Sequence, residues 1–317
     1  MSKNVVTMLL KDQLGFKGLA VTDALDMQGV TKFYKPGETE VKALQAGNDI
    51  LLLPQYADIA IRGIKTALDS GWLSYGLLEE KCRRILALKQ ELGLTIKPVI
   101  RLENLIADLN PPEAEVLRQK MVNASVTLIK NELQLIPLTG LDRRKIAVLS
   151  IGDSLPTLFQ KTLNRYQTLE IFNVPKKLSQ TLADSIYKQV LSGGILIMAI
   201  HAITSNEADS FGITHQMSRF IDTLTRANRT ILAVFGTPYS LERIPSLNKP
   251  EAILVAYQDN PSTQLAAAEI IFGGIPAKGK LPVTSSVFPF GTGFETEKTR
   301  LEFVTPEDIG LPRESLK

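Results

Sequence analysis

The sequence predicts an α/β fold in two parts. The first part is the last strand–helix units of a barrel, and the second is an α/β/α sandwich with a mostly parallel five-stranded sheet. Two observations carry this. Short β-branched runs alternate with helical stretches along the chain. A proline-broken section, with Pro98, Pro111 and Pro112, separates a short first group of such units from a longer second group. The expected division is residues 1–94, a linker at 95–118, a second domain at 119–294 and a tail at 295–317.

In the first group the expected strands are Gly18–Thr22 (GLAVT) and Asp49–Leu53 (DILLL). The expected helices cover about Asn4–Leu14, Gly37–Ala46, Tyr56–Ser70 and Leu77–Leu92. The last carries an apolar stripe at Leu78, Cys82, Ile85, Leu86 and Leu92, and Gly93 stops it. Two strand–helix units cannot bury both faces of a parallel pair, whereas a full eight-unit barrel takes roughly 250 residues. The expectation is therefore that this chain holds only the end of a barrel and was cut from something longer. The alternative is that both strands join the second domain's sheet. That sheet is expected from strands near Lys145–Ile151, Leu169–Val174, Ile195–His201, Thr230–Phe235 and Ala252–Tyr257. Helices near Leu155–Arg165, Leu178–Leu191, Gln216–Arg226 and Ser262–Phe272 separate them.

Composition excludes several function classes. The 317 residues include 36 basic and 33 acidic side chains, a net charge of +3, with no basic stripe interleaved with aromatics, so no nucleic-acid partner is expected. One cysteine, Cys82, rules out an internal disulfide. With it, two histidines are too few for a metal site, and neither a metal nor a cofactor is expected. No apolar run reaches the roughly 18–20 residues of a membrane span. Residues 1–15 lack a signal-peptide core, because Lys3 and Lys11 bound Met8, Leu9 and Leu10. A periplasmic or extracellular setting is the expectation for a longer parent.

In strand–helix barrels chemistry sits at the C-terminal strand ends. Asp23 directly follows GLAVT, whereas Asp49 opens its strand, at the wrong end. Position alone leaves Asp23 open between a reactive carboxylate and a helix cap or turn. Asp26 reads as a loop residue. His201 ends a strand of the second domain, a place open to a site or a structural role. His215 reads as helix surface. Trp72 and Tyr75, able in principle to stack on a sugar, read as filler near a helix end.

The stretch LLKDQLGFKGLAVTDALDMQGV (Leu9–Val30) resembles the nucleophile region of glycoside hydrolase family 3, with Gly15, Phe16, Gly18, Thr22, Asp23 and Met27 fitting it. Arg83-Arg84-Ile85-Leu86-Ala87-Leu88-Lys89 before Leu92-Gly93-Leu94 is similar to that family's barrel ending. Ala124–Asn131 with Ile136-Pro137-Leu138, and Gly273–Val283 with Phe288-Pro289-Phe290-Gly291, resemble the start and close of its sandwich domain.

The resemblance implies a retaining glycosidase with Asp23 as nucleophile and Met27 near the sugar. Thr22-Asp23-Ala24-Leu25 resembles the β-N-acetylhexosaminidase branch, implying an N-acetylglucosaminide substrate. That branch uses a His–Asp acid/base on an earlier barrel loop, and no such motif stands in this sequence. The β-glucosidase branch uses a sandwich-domain Glu. Glu207, in Thr204-Ser205-Asn206-Glu207-Ala208-Asp209, falls near that position, but Ser210 stands where the motif has arginine. Glu207 and His201 are the acid/base candidates, and little activity is expected of the chain alone. Missing upstream barrel polypeptide is an expected partner. The tail, from Phe303 to Leu316, resembles the opening of a β-lactamase-like domain. Competing readings are a non-catalytic interaction module and, for residues 145–274, a flavodoxin-like domain.

Overall fold

The computed structural model describes residues 2–96, 102–190 and 194–311. Part of the linker (97–101), Ser192-Gly193 with Leu191, and the tail from Pro312 onward lie outside the described residues. The chain divides into two compact units, Met1–Glu103 and Asn104–Lys317.

The first unit is mostly helical. A π-helical segment at Asn4–Gln13 precedes α1 (Gln28–Thr31), α2 (Glu38–Gln45), α3 (Ala57–Asp69) and α4 (Tyr75–Glu91). Ser74 caps α4 by accepting from the Leu77 amide at 3.1 Å. The small core joins Val41 and Leu44 of α2 to Ala67 of α3 and Leu73, with Leu51, Ile64, Leu77 and Leu78 packed on it. The two predicted strands are reduced to a single parallel bridge, Val21 to Ile50, among the described residues. A lone parallel pair has no neighbour to extend its ladder, so only local hydrogen bonds hold it. The predicted stripe of α4 is corrected as well. Cys82, Leu86 and Leu92 are exposed, and the residue that α4 buries is Lys81. The cause is Asp49, which draws the basic face of the helix inward.

In the second unit two helices, α5 (Leu105–Leu109) and α6 (Pro112–Ser125), precede β1 (Thr127–Asn131) and β2 (Ile146–Ile151). Then come α7 (Leu158–Tyr166), β3 (Glu170–Val174), α8 (Gln180–Val190), β4 (Ile195–Ile200), α9 (His215–Ala227), β5 (Arg229–Val234), β6 (Ala252–Val255) and α10 (Pro261–Phe272). The helices are set by their caps. Thr157 with Gln160, Thr214, and Asn260 with Thr263 open α7, α9 and α10, and Gly273 (φ 78°) closes α10.

The sheet has six strands in the order β1-β6-β5-β4-β2-β3. All neighbours are parallel except β1, which runs antiparallel to β6 along one edge. The five predicted strands are present, and β1 is the correction. Its run Thr-Leu-Ile-Lys-Asn ends in two polar residues, and its partner lies more than a hundred residues later, so no local pattern marks it.

Strict alternation feeds two cores, because successive strand side chains face opposite ways. Val148, Ile197, Ala199 and Ile231 pack under α7 and α10, with Phe159, Leu163 and Ile270. Leu149, Leu196, Met198 and Leu232 pack under α8 and α9, with Ile186, Met217, Ile221 and Leu224.

Gly152 ends β2 at φ 107°, and a Cβ there would lie 2.7 Å from the His201 carbonyl. Gly152→Ala is therefore expected to destabilise the second unit by about 1–3 kcal/mol, read as a lower urea midpoint with an unchanged slope.

Candidate active site

Asp23 lies on a short parallel pairing of two segments. Ala20 accepts from the amides of Asp49 (2.6 Å) and Ile50 (3.2 Å), Thr22 N donates to Ile50 O (3.1 Å), and Leu25 N donates to Leu52 O (3.0 Å). The Thr22 hydroxyl accepts from the Leu52 amide at 2.9 Å. These bonds fix the backbone on both sides of Asp23, whose side chain is exposed. Its Oδ1 accepts from the Ala24 amide at 2.8 Å. Oδ2 has no hydrogen-bond partner among the described residues, so the carboxylate presents one oxygen to an incoming atom. Met27 lies four residues on, at the start of α1, and is 52% exposed.

Beneath this pairing lies a charged hub that the sequence reading did not identify. The Asp49 side chain is fully buried and accepts from Lys11 Nζ (3.0 Å), Arg84 Nη1 (2.9 Å) and the Ala20 amide (2.8 Å), with Lys81 Nζ at 3.8 Å. Arg84 also donates to the carbonyls of Gly18 (2.6 Å) and Lys17 (3.1 Å). Burial pushes the Asp49 carboxyl up, but the Ala20 amide, Lys11 and Arg84 together hold it below the usual carboxylate range. Burial pushes the Lys81 ammonium down against the opposing pull of Asp49. Asp49 thus anchors the start of one segment to α4 and to the strand that ends at Asp23. The signal in the sequence was a carboxylate opening an apolar run, with basic residues on two helices.

His201 and Glu207 belong to the second unit. His201 is 3% exposed, lies at the C-terminal end of β4 and stacks on Phe235 with ring centroids 4.7 Å apart. Its Nδ1 faces both oxygens of Asp259 at 3.2 Å, and its Nε2 lies 3.4 Å from Ser150 Oγ. The carboxylate can only accept, so Nδ1 carries the hydrogen that points to it. Ser150 meets Thr157 at 3.3 Å, and Gln264 bridges Asp259 (2.7 Å) to the Phe159 amide (3.0 Å). This polar ring joins β2, β4 and the starts of α7 and α10. Burial pushes the Asp259 carboxyl up, yet the bonds from His201, Gln264 and the Ala202 amide hold it below its ordinary value. Asp259 sits just before the Asn260 cap, where a sequence reading sees only turn residues.

Asp259→Ala leaves the buried His201 Nδ1–H and the Gln264 amide without their acceptor, and is expected to cost about 1–3 kcal/mol. The sign with pH follows. A carboxyl with a depressed folded value stabilises above its unfolded value of about 3.8, and that contribution is lost as pH falls through the folded value. Thermal melts of parent and variant should therefore converge toward acid pH.

Glu207 opens a short turn (Glu207–Gly212) and is exposed, with its carboxylate 4.0 Å from Arg243. Among the described residues it makes no hydrogen bond or ion pair with His201. Asp23 and Met27 are neighbours in one unit, and His201 and Glu207 lie within the other. His215 is exposed as the first residue of α9, and Trp72 and Tyr75 are 69% and 66% exposed. Among the described residues no group of three or more His, Cys, Asp or Glu side chains could hold a metal, and no helix is long and apolar enough to cross a membrane.

Residues 1–88 match the glycosyl hydrolase family 3 N terminal domain. The chain is homologous to family 3 glycosyl hydrolases. It is 26% identical over 333 residues to beta-hexosaminidase A of Pseudoalteromonas piscicida, covering 90% of this chain and 52% of that protein. It is 23% identical to the periplasmic beta-glucosidase of Salmonella typhimurium, covering 90% of this chain and 43% of that protein. A family 3 beta-N-acetylglucosaminidase structure from Paenibacillus sp. str. FPU-7 shares the fold at a TM-score of 0.64 and 22% identity, covering 90% of this chain and 54% of that one. The chain therefore spans about half the length of the relatives it matches.

Proposed function

We propose that this chain is the nucleophile-bearing part of a retaining β-glycosidase acting on β-N-acetylhexosaminides, with Asp23 as nucleophile. The observation that supports this best is the placement of Asp23. It is an exposed carboxylate with a free oxygen, on a backbone pinned from both sides, inside the family 3 match.

In the proposed reaction an Asp23 oxygen attacks the anomeric carbon. The glycosidic C–O bond breaks, and its electron pair leaves with the aglycone oxygen, which takes a proton from a general acid. Water then attacks the same carbon and releases Asp23, returning the proton to the acid. Of the two candidates for the acid role we favour Glu207, because its carboxylate is exposed. His201 has both ring nitrogens engaged in the polar ring, which suits positioning rather than proton transfer. We assign Met27 to the wall of the sugar site.

The surface of the first unit supports a partner. Phe33, Ile61, Leu86 and Leu92 are each more than 60% exposed, and no further strand pairs with the Val21–Ile50 bridge among the described residues. Patches and edges of this kind are covered in working proteins. Further strand–helix polypeptide of the barrel type is the occupant that fits both features.

The test is turnover of an activated aryl N-acetyl-β-glucosaminide, beside the matching β-glucoside because of the Salmonella relative. Release of the aryl group from the hexosaminide by the parent and not by Asp23→Ala supports the reading. Preference for the glucoside moves the substrate assignment, and equal rates in parent and variant sink Asp23 as nucleophile.

A further inference from the structure

Residues 299–303 cross the second unit as a strap over the ends of α7 and α10. The amides of Thr299 and Arg300 donate to Gly273 O at 2.8 and 2.9 Å. The Arg300 guanidinium donates to the carbonyls of Leu138 and Phe272. Tyr166 donates its hydroxyl to Leu301 O at 3.1 Å. Phe303 is wedged edge-on against Tyr166, with centroids 4.9 Å apart, while the Arg165 guanidinium lies 3.4 Å from its ring centroid.

At the centre of this contact is Glu269 of α10. It is 1% exposed, and its Oε1 accepts from the Phe303 amide at 2.5 Å. Among the described residues, this is the strap's hydrogen bond to a carboxyl of the body. The charged and titratable groups around it are Arg165 and Tyr166 on α7, and Lys298, Arg300 and Glu302 on the strap. Lys298 is paired with Glu302 at 2.8 Å. No cation makes a salt bridge to Glu269 among the described residues, so its ionised form would be a buried charge held by one amide. Lifting the strap would return Glu269 to water.

We propose that Glu269 is a proton-operated latch: the 299–303 strap is fastened while this carboxyl is protonated and loosens when it ionises. The strap also forms part of a cavity of about 490 Å³, with Phe303 facing Pro112, Gln119 and Leu265. Release therefore opens one wall of that cavity.

The direction with pH is fixed by linkage. Burial, and then the neighbouring Glu302, push the Glu269 carboxyl up to about 7 from 4.5, against the Phe303 amide, Arg165 and Lys298. A group raised in the fastened state favours fastening below its free value, and that advantage is lost as pH rises from about 4.5 to about 7. The limiting change in the fastening equilibrium is about 300-fold, the ratio set by those two values.

Amide hydrogen exchange of the full chain reads this directly. After correction for intrinsic exchange rates, protection of residues 299–303 should fall at least tenfold between pH 5 and pH 8. In Glu269→Gln, which keeps the oxygen acceptor without the charge, protection should persist across that range. Glu302→Gln removes a neighbouring negative charge and should move the fall to lower pH. Three results would overturn the proposal: pH-independent protection in the parent, loss of the strap at pH 5 in folded Glu269→Gln, or a fall that Glu302→Gln leaves in place.

Discussion

Asp23→Ala is expected to lower turnover of an activated β-glycoside by about 10³-fold or more, with the fold intact. The size follows from the role, since removing a covalent nucleophile closes the pathway rather than slowing one step of it. The intact fold follows from the structure. The Asp23 side chain is exposed, and its hydrogen bond among the described residues is from the next residue's amide. The backbone bonds that hold Thr22 and Leu25 do not use it. Circular dichroism and melting should therefore match the parent while the rate collapses. A variant that loses rate and melting temperature together would point to a structural Asp23. Asp23→Asn makes the comparison stricter, because it keeps the acceptor oxygen and removes only the charge.

Asp49→Ala is expected to do the reverse, and to unfold the first unit. Its carboxylate is fully buried and is the shared anionic partner of Lys11, Lys81 and Arg84. Removing one partner of a buried charged set leaves the others uncompensated, at about 3–5 kcal/mol. The Ala20 amide also loses its acceptor. Native domains are stable by only about 5–15 kcal/mol, and the core of this unit is small, so most of its stability would be lost. The melt of the second unit should be unaffected, which a two-transition calorimetric scan separates. In the parent, the Asp49 contribution is present above about pH 3.8 and is lost as pH falls through its lower folded value.

The two predictions divide residues that the sequence alone could only rank by position. Strands β2–β6 were legible within a residue or two, because buried parallel strands read as continuous apolar runs. Helices α7 to α10 were legible between the strand runs, whereas α5 and α6 were not, because the proline-broken stretch 95–118 reads as a linker. Strand β1 was not, since its antiparallel partner Ala252–Val255 is distant in sequence and three of its five residues are polar. In the first unit Gly18–Thr22 and Asp49–Leu53 have strand composition, but a strand exists only through its neighbours, and here each has one. The stripe on α4 misled for a related reason: a buried Asp49 outweighs a few apolar side chains in deciding which face turns inward. The site was legible at Asp23, whose place after a strand is local information. Asp259 and Glu269 were not, because their importance comes from His201 and Phe303, both distant in sequence.

The central claim is that Asp23 forms a bond to the sugar. A slow fluorosugar substrate with a good leaving group would be incubated with the protein, followed by peptide mass spectrometry. The account predicts one glycosyl mass added to the peptide containing Asp23, absent from Asp23→Ala. A label on another carboxylate, with Asp23 unmodified, would contradict it.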